Sequence, residues 1–316
     1  MDTIKKQPLL VILGPTGVGK SRLALEIGSK IKGEIISGDS MQVYQDMNIG
    51  TAKVTEAEQA LVPHHLLDIR KPNEDYSVMD FCEMAEPLIS EIASRGHLPI
   101  LAGGTGLYIQ SLLENYQFSK VPPDLEYRKM LEEKAKKEGF DALYQELLKL
   151  DPESAARITP QNTRRVIRAL ESLRAGEAVS VLRSGELHYD TLVIGLEMDR
   201  PLLYDRINRR VDLMFEEGWV DECRELIEKW PHMSVGSCQA IGYKEIFAHL
   251  RGALTLEMTK EIIKQRTRNF AKRQITWFRR MDYIRWQKVS ESTNFELLAT
   301  QVIRLWEENL ENIKKK

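Results

Sequence analysis

LLVILGPTGVGKSRLALEIGSKI, from Leu9 to Ile31, joins an unbroken apolar run to a glycine-rich turn and then to an amphipathic stretch. The run Leu9-Leu10-Val11-Ile12-Leu13 has the length and aliphatic character of a strand buried on both faces, which parallel sheets sandwiched by helices require. Between strand and helix stands Gly14-Pro15-Thr16-Gly17-Val18-Gly19-Lys20-Ser21, the pattern of a phosphate-binding loop in its proper context. In such a loop, successive backbone N–H groups and the positive end of the helix cradle an anion. Lys20 brings a charge to the outer phosphate, and the Ser21 hydroxyl can ligate Mg²⁺.

Working outward, further short apolar runs read as strands: EIISGD (34–39), HHLLDI (64–69), LPILAGG (98–104) and TLVIGLE (191–197). Helical patterns separate the first four, so the expected fold is α/β, a P-loop NTPase-like parallel sheet with flanking helices. Residues 117–189 carry no strand signal and several amphipathic stretches, which predicts an inserted all-helical domain splitting a core of 1–116 and 190–316. Within it, YRKMLEEKAKKEG closes on Gly139. Thr159 and Pro160 read as the N-cap and first-turn residue of a helix that stops at Gly176. After the fifth strand the pattern is helical again, through RPLLYDRINRRVDLMFEEG, VDECRELIEKW, a long stretch from Thr259 to Met281, and Asn294 to Lys316.

The 316 residues are 42% hydrophobic and 29% charged, an ordinary soluble composition. No run approaches the roughly 18 apolar residues of a membrane span, and the N-terminus has no signal-peptide character, so a cytoplasmic protein without a membrane partner is expected; a monomer is the expectation for its assembly, which the sequence does not itself fix. Cys82, Cys223 and Cys238 lie far apart and suggest neither disulfides nor zinc. The six histidines are scattered and read as structural or solvated. A net charge of −2 conceals an asymmetry, because Lys260 to Arg285 holds nine Lys or Arg against Glu261 and Asp282. That local excess points to a polyanionic partner.

A phosphate loop alone does not choose a reaction. A nucleotide kinase needs an acid for its metal, and Asp39 or Asp68 could serve, although the fourth strand ends in glycines and threonine where such an acid often stands. The guanine-reading NKxD motif is absent. Two segments that follow strand ends, GDSMQVYQDMNIGTAK and AGGTGLYIQSLL, fall where open α/β sheets bind ligands.

With GPTGVGKS, DSMQVY, GTAK, GGTGLY, NTRRVIRALE, RINRRVDLMFEEG, AIGYKE and QRTRNFAKRQITWFRR in this order, the chain closely resembles the tRNA dimethylallyltransferases, from about Leu9 to Trp286. The resemblance implies transfer of a dimethylallyl group from dimethylallyl diphosphate to N6 of the adenosine 3′ of the tRNA anticodon, with Mg²⁺ assisting and diphosphate leaving. The phosphate loop would then hold a departing diphosphate whose growing charge needs stabilising. Arg210, or Arg206 one turn earlier, would close over it. An exocyclic amine is a poor nucleophile, so a carboxylate that accepts its proton helps. The resemblance gives that role to Asp39; a cap or a metal-water aspartate is the other reading. Thr105 would contact the target nucleotide, or else cap the helix that follows it. A kinase remains the alternative function.

The target base must leave its stack to reach a buried donor, which predicts a channel open at both ends. Ser40, Met41 and Gln42 would line its nucleic-acid side, Gln42 reading base edges. The resemblance adds Arg128, Gln161, Asn162, Thr163, Arg164 and Arg165 from the insertion as contacts to the anticodon stem-loop. On the long C-terminal helix, Ile263, Phe270, Trp277 and Met281 would form an apolar seam. Its basic flanks, which include Arg266, Arg268, Lys272 and Arg273, would grip phosphates, or would simply be solvated.

Overall fold

A computed structural model describes residues 6–118, 121, 124–176 and 186–314. Six strands, β1 (Pro8–Leu13), β2 (Gly33–Gly38), β3 (His64–His65), β4 (Leu98–Gly103), β5 (Asp190–Glu197) and β6 (Arg285–Lys288), form one all-parallel sheet in the order β3-β2-β4-β1-β5-β6. Around it run α1 (Lys20–Lys30), α2 (Glu56–Leu61), α3 (Val78–Ser94) and α4 (Gly106–Leu113). Then come α5 (Leu125–Glu138), α6 (Phe140–Leu150), α7 (Pro152–Arg157) and α8 (Thr163–Arg174). The C-terminal half adds α9 (Arg200–Glu216), α10 (Trp219–Lys229), α11 (Val235–Cys238), α12 (Tyr243–Leu250), α13 (Leu256–Phe278) and α14 (Phe295–Lys314).

Alternation along β1 explains the layering. Leu10 and Ile12 pack with Leu23 and Ile27 of α1 and Phe295 and Val302 of α14, whereas Leu9, Val11 and Leu13 pack with Phe81 and Ile89 of α3 and Ile109 of α4. Both faces of the strand are therefore dry, and each fully buried aliphatic side chain contributes about 1.5–3 kcal/mol. The carboxyl ends of β2, β4 and β1 are level, with Gly38 paired to Gly103 and Leu13 paired to Gly103. The loops that leave these three strands consequently meet at one rim.

Two strands depart from expectation. HHLLDI keeps only His64 and His65 as strand, because Leu66 and Asp68 take left-handed backbone with φ of 61° and 54°. β6, RWQK, was not anticipated: it has no apolar run and pairs as an edge strand from Ile194–Arg285 to Glu197–Lys288. Among the histidines, His65 and His97 hydrogen-bond the buried Glu34 at 2.7 and 2.6 Å, a structural role.

The described chain divides into two compact units, 1–114 with 187–316, and 115–186. The second is helical and has its own core, including Leu131, Leu143, Leu147, Val166 and Leu170. Its last helix starts later than the sequence suggests. Asn162, not Thr159, is the N-cap, its side chain accepting from the Arg165 N–H at 3.4 Å.

Candidate active site

The phosphate loop turns on glycines that no other residue could replace without strain. Gly19 has φ of +109°, and a Cβ there would lie 2.5 Å from the Phe295 ring. Gly19 is also the N-cap of α1 and offers no side chain to its first turn, which carries no acid. The leading N–H groups of α1, which lack intrahelical acceptors, are thus available to an anion. They border a cavity of about 310 Å³ whose lining includes Lys20, Ser21, Lys53, Arg206 and Arg210. Thr16 is the exception in the cradle: its N–H donates to Oε1 of Gln274 at 2.8 Å, so the free donors begin at Gly17.

Positive charge is concentrated and poorly hydrated here. Burial pushes the Lys20 ammonium down to about 8, nearby Asp39 opposes that shift, and Arg210 adds to it. Lys20 Nζ donates to the Pro15 carbonyl at 2.9 Å. Burial likewise lowers the Arg210 guanidinium, with Asp39 opposing and Arg206 reinforcing. An arriving polyanion would relieve both.

Asp39 follows β2. Its Oδ1 accepts from the Met41 N–H at 2.8 Å, a local turn that fixes the carboxylate at the rim. Thr105, after β4, does not cap α4 with its side chain. Its Oγ1 accepts from the Ser40 N–H at 3.1 Å, and its own N–H donates to the Gly38 carbonyl at 3.3 Å. The two strand-end turns are stitched together by this hydroxyl.

A second cavity, of about 330 Å³, adjoins the first and shares Thr16, Asp39, Thr51 and Arg210 with it. Ile207, Val211 and Met214 of α9 and Trp219 of α10 give it an apolar wall, and Phe270 and Arg273 of α13 line it as well. Trp219 is 2% exposed and packs on Gly50 and Gly242. Glu222 of α10 holds the neighbouring loop, accepting from the N–H groups of Asn48 and Ile49 at 2.9 and 2.8 Å. One compartment is cationic and polar, the other largely apolar, and Asp39 belongs to both.

Other sequence candidates fall differently. Ser40 and Met41 line the apolar cavity, but Gln42 lines the cationic one. Its amide has internal partners, donating to the carbonyls of Thr51 and Ala52 at 3.2 Å and accepting from Ser37 Oγ at 3.1 Å. Arg206 lines the cationic cavity alone, whereas Arg210 lines both. Asp68 lines neither and is paired with Lys53.

Of the expected seam along α13, Ile263 and, just past the helix end, Met281 are buried, whereas Phe270 and Trp277 are half-buried; Thr259, Ala271, Gln274 and Phe278 complete the buried face. Arg266 pairs with Glu245, Arg268 donates to Asn208 Oδ1 at 2.6 Å, Arg273 lies over the Phe270 ring, and Lys272 is exposed. In the insertion, Arg128 donates Nε and Nη2 to Glu171 at 2.9 and 2.8 Å, while Gln161, Arg164 and Arg165 are exposed and Thr163 is half-exposed. The sequence reading missed Gln274, Lys53 and Trp219; a glutamine among small and apolar residues at helical spacing was the available signal for the first.

Among the described residues there is no cluster of three or more acidic, histidine or cysteine side chains able to hold a metal, and no helix is long and apolar enough to cross a membrane.

The IPP transferase family profile matches residues 42–281. A tRNA dimethylallyltransferase of Bacillus subtilis is 46% identical over 304 residues, 94% of this chain and 96% of the relative. The crystal structure of a full-length tRNA isopentenylpyrophosphate transferase from Bacillus halodurans superposes with a TM-score of 0.75 at 44% identity, covering 98% of this chain and 99% of the other. A eukaryotic dimethylallyltransferase, described in crystallographic snapshots as acting on tRNA, gives a TM-score of 0.80 at 31% identity over 94% of this chain and 77% of its own. Match length, identity and coverage together make this chain a member of the IPP transferase family.

Proposed function

We propose that this protein transfers the dimethylallyl group of dimethylallyl diphosphate to N6 of the adenosine 3′ of the anticodon in tRNA, releasing diphosphate. The observation that carries the reading is the pair of adjoining cavities with Asp39 in the wall common to both. The diphosphate occupies the cationic cavity, held by N–H groups from Gly17 onward, by Lys20 and by Arg210. The adenine and the C5 chain meet beside Asp39 in the apolar one. As the N6–C bond forms and the allylic C–O bond breaks, the electron pair leaves with the diphosphate, where Lys20, Arg210 and the α1 N-terminus stabilise it. The amine proton passes to the Asp39 carboxylate, a role typically worth about 10²–10⁴-fold in rate.

The donor set fits a magnesium ion, since Mg²⁺ needs few protein ligands when phosphate oxygens complete its shell, and the Ser21 hydroxyl lines the cavity. Bound there, Mg²⁺ would neutralise part of the leaving group's charge. Arg268, Lys272 and Arg273 of α13, with Arg164 and Arg165 of the insertion, would contact RNA phosphates. The protein would act as a cytoplasmic monomer. A kinase is not favoured: the relatives that match over most of the chain are tRNA dimethylallyltransferases, Asp68 lines neither cavity, and no acid ends β4.

Incubation with unmodified tRNA, Mg²⁺ and radiolabelled dimethylallyl diphosphate should label the RNA. Asp39→Ala should abolish labelling and keep tRNA binding. Transfer by that variant near the wild-type rate would remove Asp39 as the base, and ATP turnover without labelling would replace the reading with the kinase.

A further inference from the structure

Gln274 lies on the buried face of α13, 6% exposed, between Ala271 and Phe278. An amide buried at such a position is costly wherever one of its groups is left unpaired, so its partners matter. Both ends are satisfied, and by backbone rather than side chains. Oε1 accepts from the Thr16 N–H at 2.8 Å, and Nε2 donates to the Gly104 carbonyl at 2.9 Å. The first partner belongs to the phosphate loop and lines both cavities. The second immediately precedes Thr105, whose hydroxyl holds the turn after Asp39. The helix that carries Gln274 also presents Phe270 and Arg273 to the apolar cavity.

One side chain therefore ties the loop for the departing anion to the turn that fixes the base, from the helix that lines the acceptor cavity. Gly104 is shaped for this tie: a Cβ there would collide with Gln274 Nε2 and approach Lys20 Nζ to 3.5 Å. Neither atom of the amide needs to touch a substrate for the link to matter. A displacement of about 1 Å between reacting groups is enough to slow transfer by about a hundredfold.

We propose that Gln274 is a positioning residue for the prenyl transfer argued above, on which this inference rests: it sets the distance between the diphosphate loop and the Asp39–Thr105 turns. Two substitutions break the link from opposite sides. Gln274→Met removes both hydrogen bonds at nearly constant volume, and Gly104→Ala pushes the amide away while leaving Gln274 in place. The readouts are the single-turnover transfer rate at saturating donor and tRNA, the tRNA Kd, and amide hydrogen exchange of the peptide 14–19 in the substrate-free protein.

Each variant is expected to transfer on the order of tenfold to a hundredfold more slowly and to exchange faster over 14–19, with tRNA Kd within about twofold of wild type. The double variant should be no slower than the worse single one, because both remove the same link. Wild-type rates per folded molecule, unchanged exchange over 14–19, or fully additive losses would each overturn the proposal. Should Gln274→Met melt below the assay temperature, Gly104→Ala carries the same comparison. If wild-type protein labels no RNA, the functional reading fails instead, and hydrogen exchange still decides whether Gln274 holds the loop.

Discussion

Donor binding should depend on pH through Lys20, and the size of the effect follows from its surroundings. Burial holds this ammonium at about 8. A bound diphosphate supplies the missing counter-charge and restores the ordinary value near 10.5. The complex therefore binds the proton more tightly than the free protein, so affinity is complete below about pH 8 and is lost as pH rises through it. Between about pH 7 and pH 9 the dissociation constant should rise about tenfold, and proton uptake on binding should climb from about 0.1 to about 0.9 per site. Titration calorimetry with an unreactive allylic diphosphate analogue, repeated in buffers of different ionisation enthalpy, measures both. Lys20→Met provides the baseline that removes the ligand's own titration. An affinity that is flat across this range, or a slope equal in wild type and Lys20→Met, would show that the buried ammonium does not face the diphosphate.

Arg268→Ala should weaken tRNA binding and reduce the slope of log affinity against log salt by about 1; an unchanged slope would assign Arg268 to Asn208 alone. Glu171, whose side chain is 1% exposed, receives Arg128, Arg168 and the Asp124 N–H, so Glu171→Leu should destabilise the insertion unit by about 3 kcal/mol, read as faster hydrogen exchange within 115–186. Burial pushes that carboxyl up, but its hydrogen bonds outweigh burial and hold it below the ordinary 4.5. Its contribution to stability is thus present above about pH 4.5 and lost as pH falls through the depressed native value, which an acid titration of exchange within the same unit checks.

The phosphate loop, the parallel sheet and the order of the helices were legible because their signals are local. Leu9 to Leu13 could be little other than a covered strand, and the glycines of the loop mark turns that side chains forbid. What escaped depended on tertiary partners. β6 exists because β5 offers an open edge, not because Arg285 to Lys288 favours a strand. The face of α13 was legible only in part: Ile263 and Met281 are buried, but so are Ala271 and Gln274, while Phe270 is half-buried and lines the apolar cavity. Asp39, Thr105 and Arg210 could be named from motifs, and the structure brings all three to one cavity. Gln42 and Arg128 show the limit: both are polar residues in suggestive motifs, and both have internal partners that sequence does not display.

Allylic diphosphates are prone to solvolysis, and any water that reaches the ionising carbon wastes the donor. The common wall of Thr16, Asp39, Thr51 and Arg210 means that, on the proposed reading, this carbon faces the space the nucleobase must occupy. A seated adenine displaces the competing solvent with its own ring, so the acceptor itself acts as the seal and futile hydrolysis is suppressed whenever RNA is present.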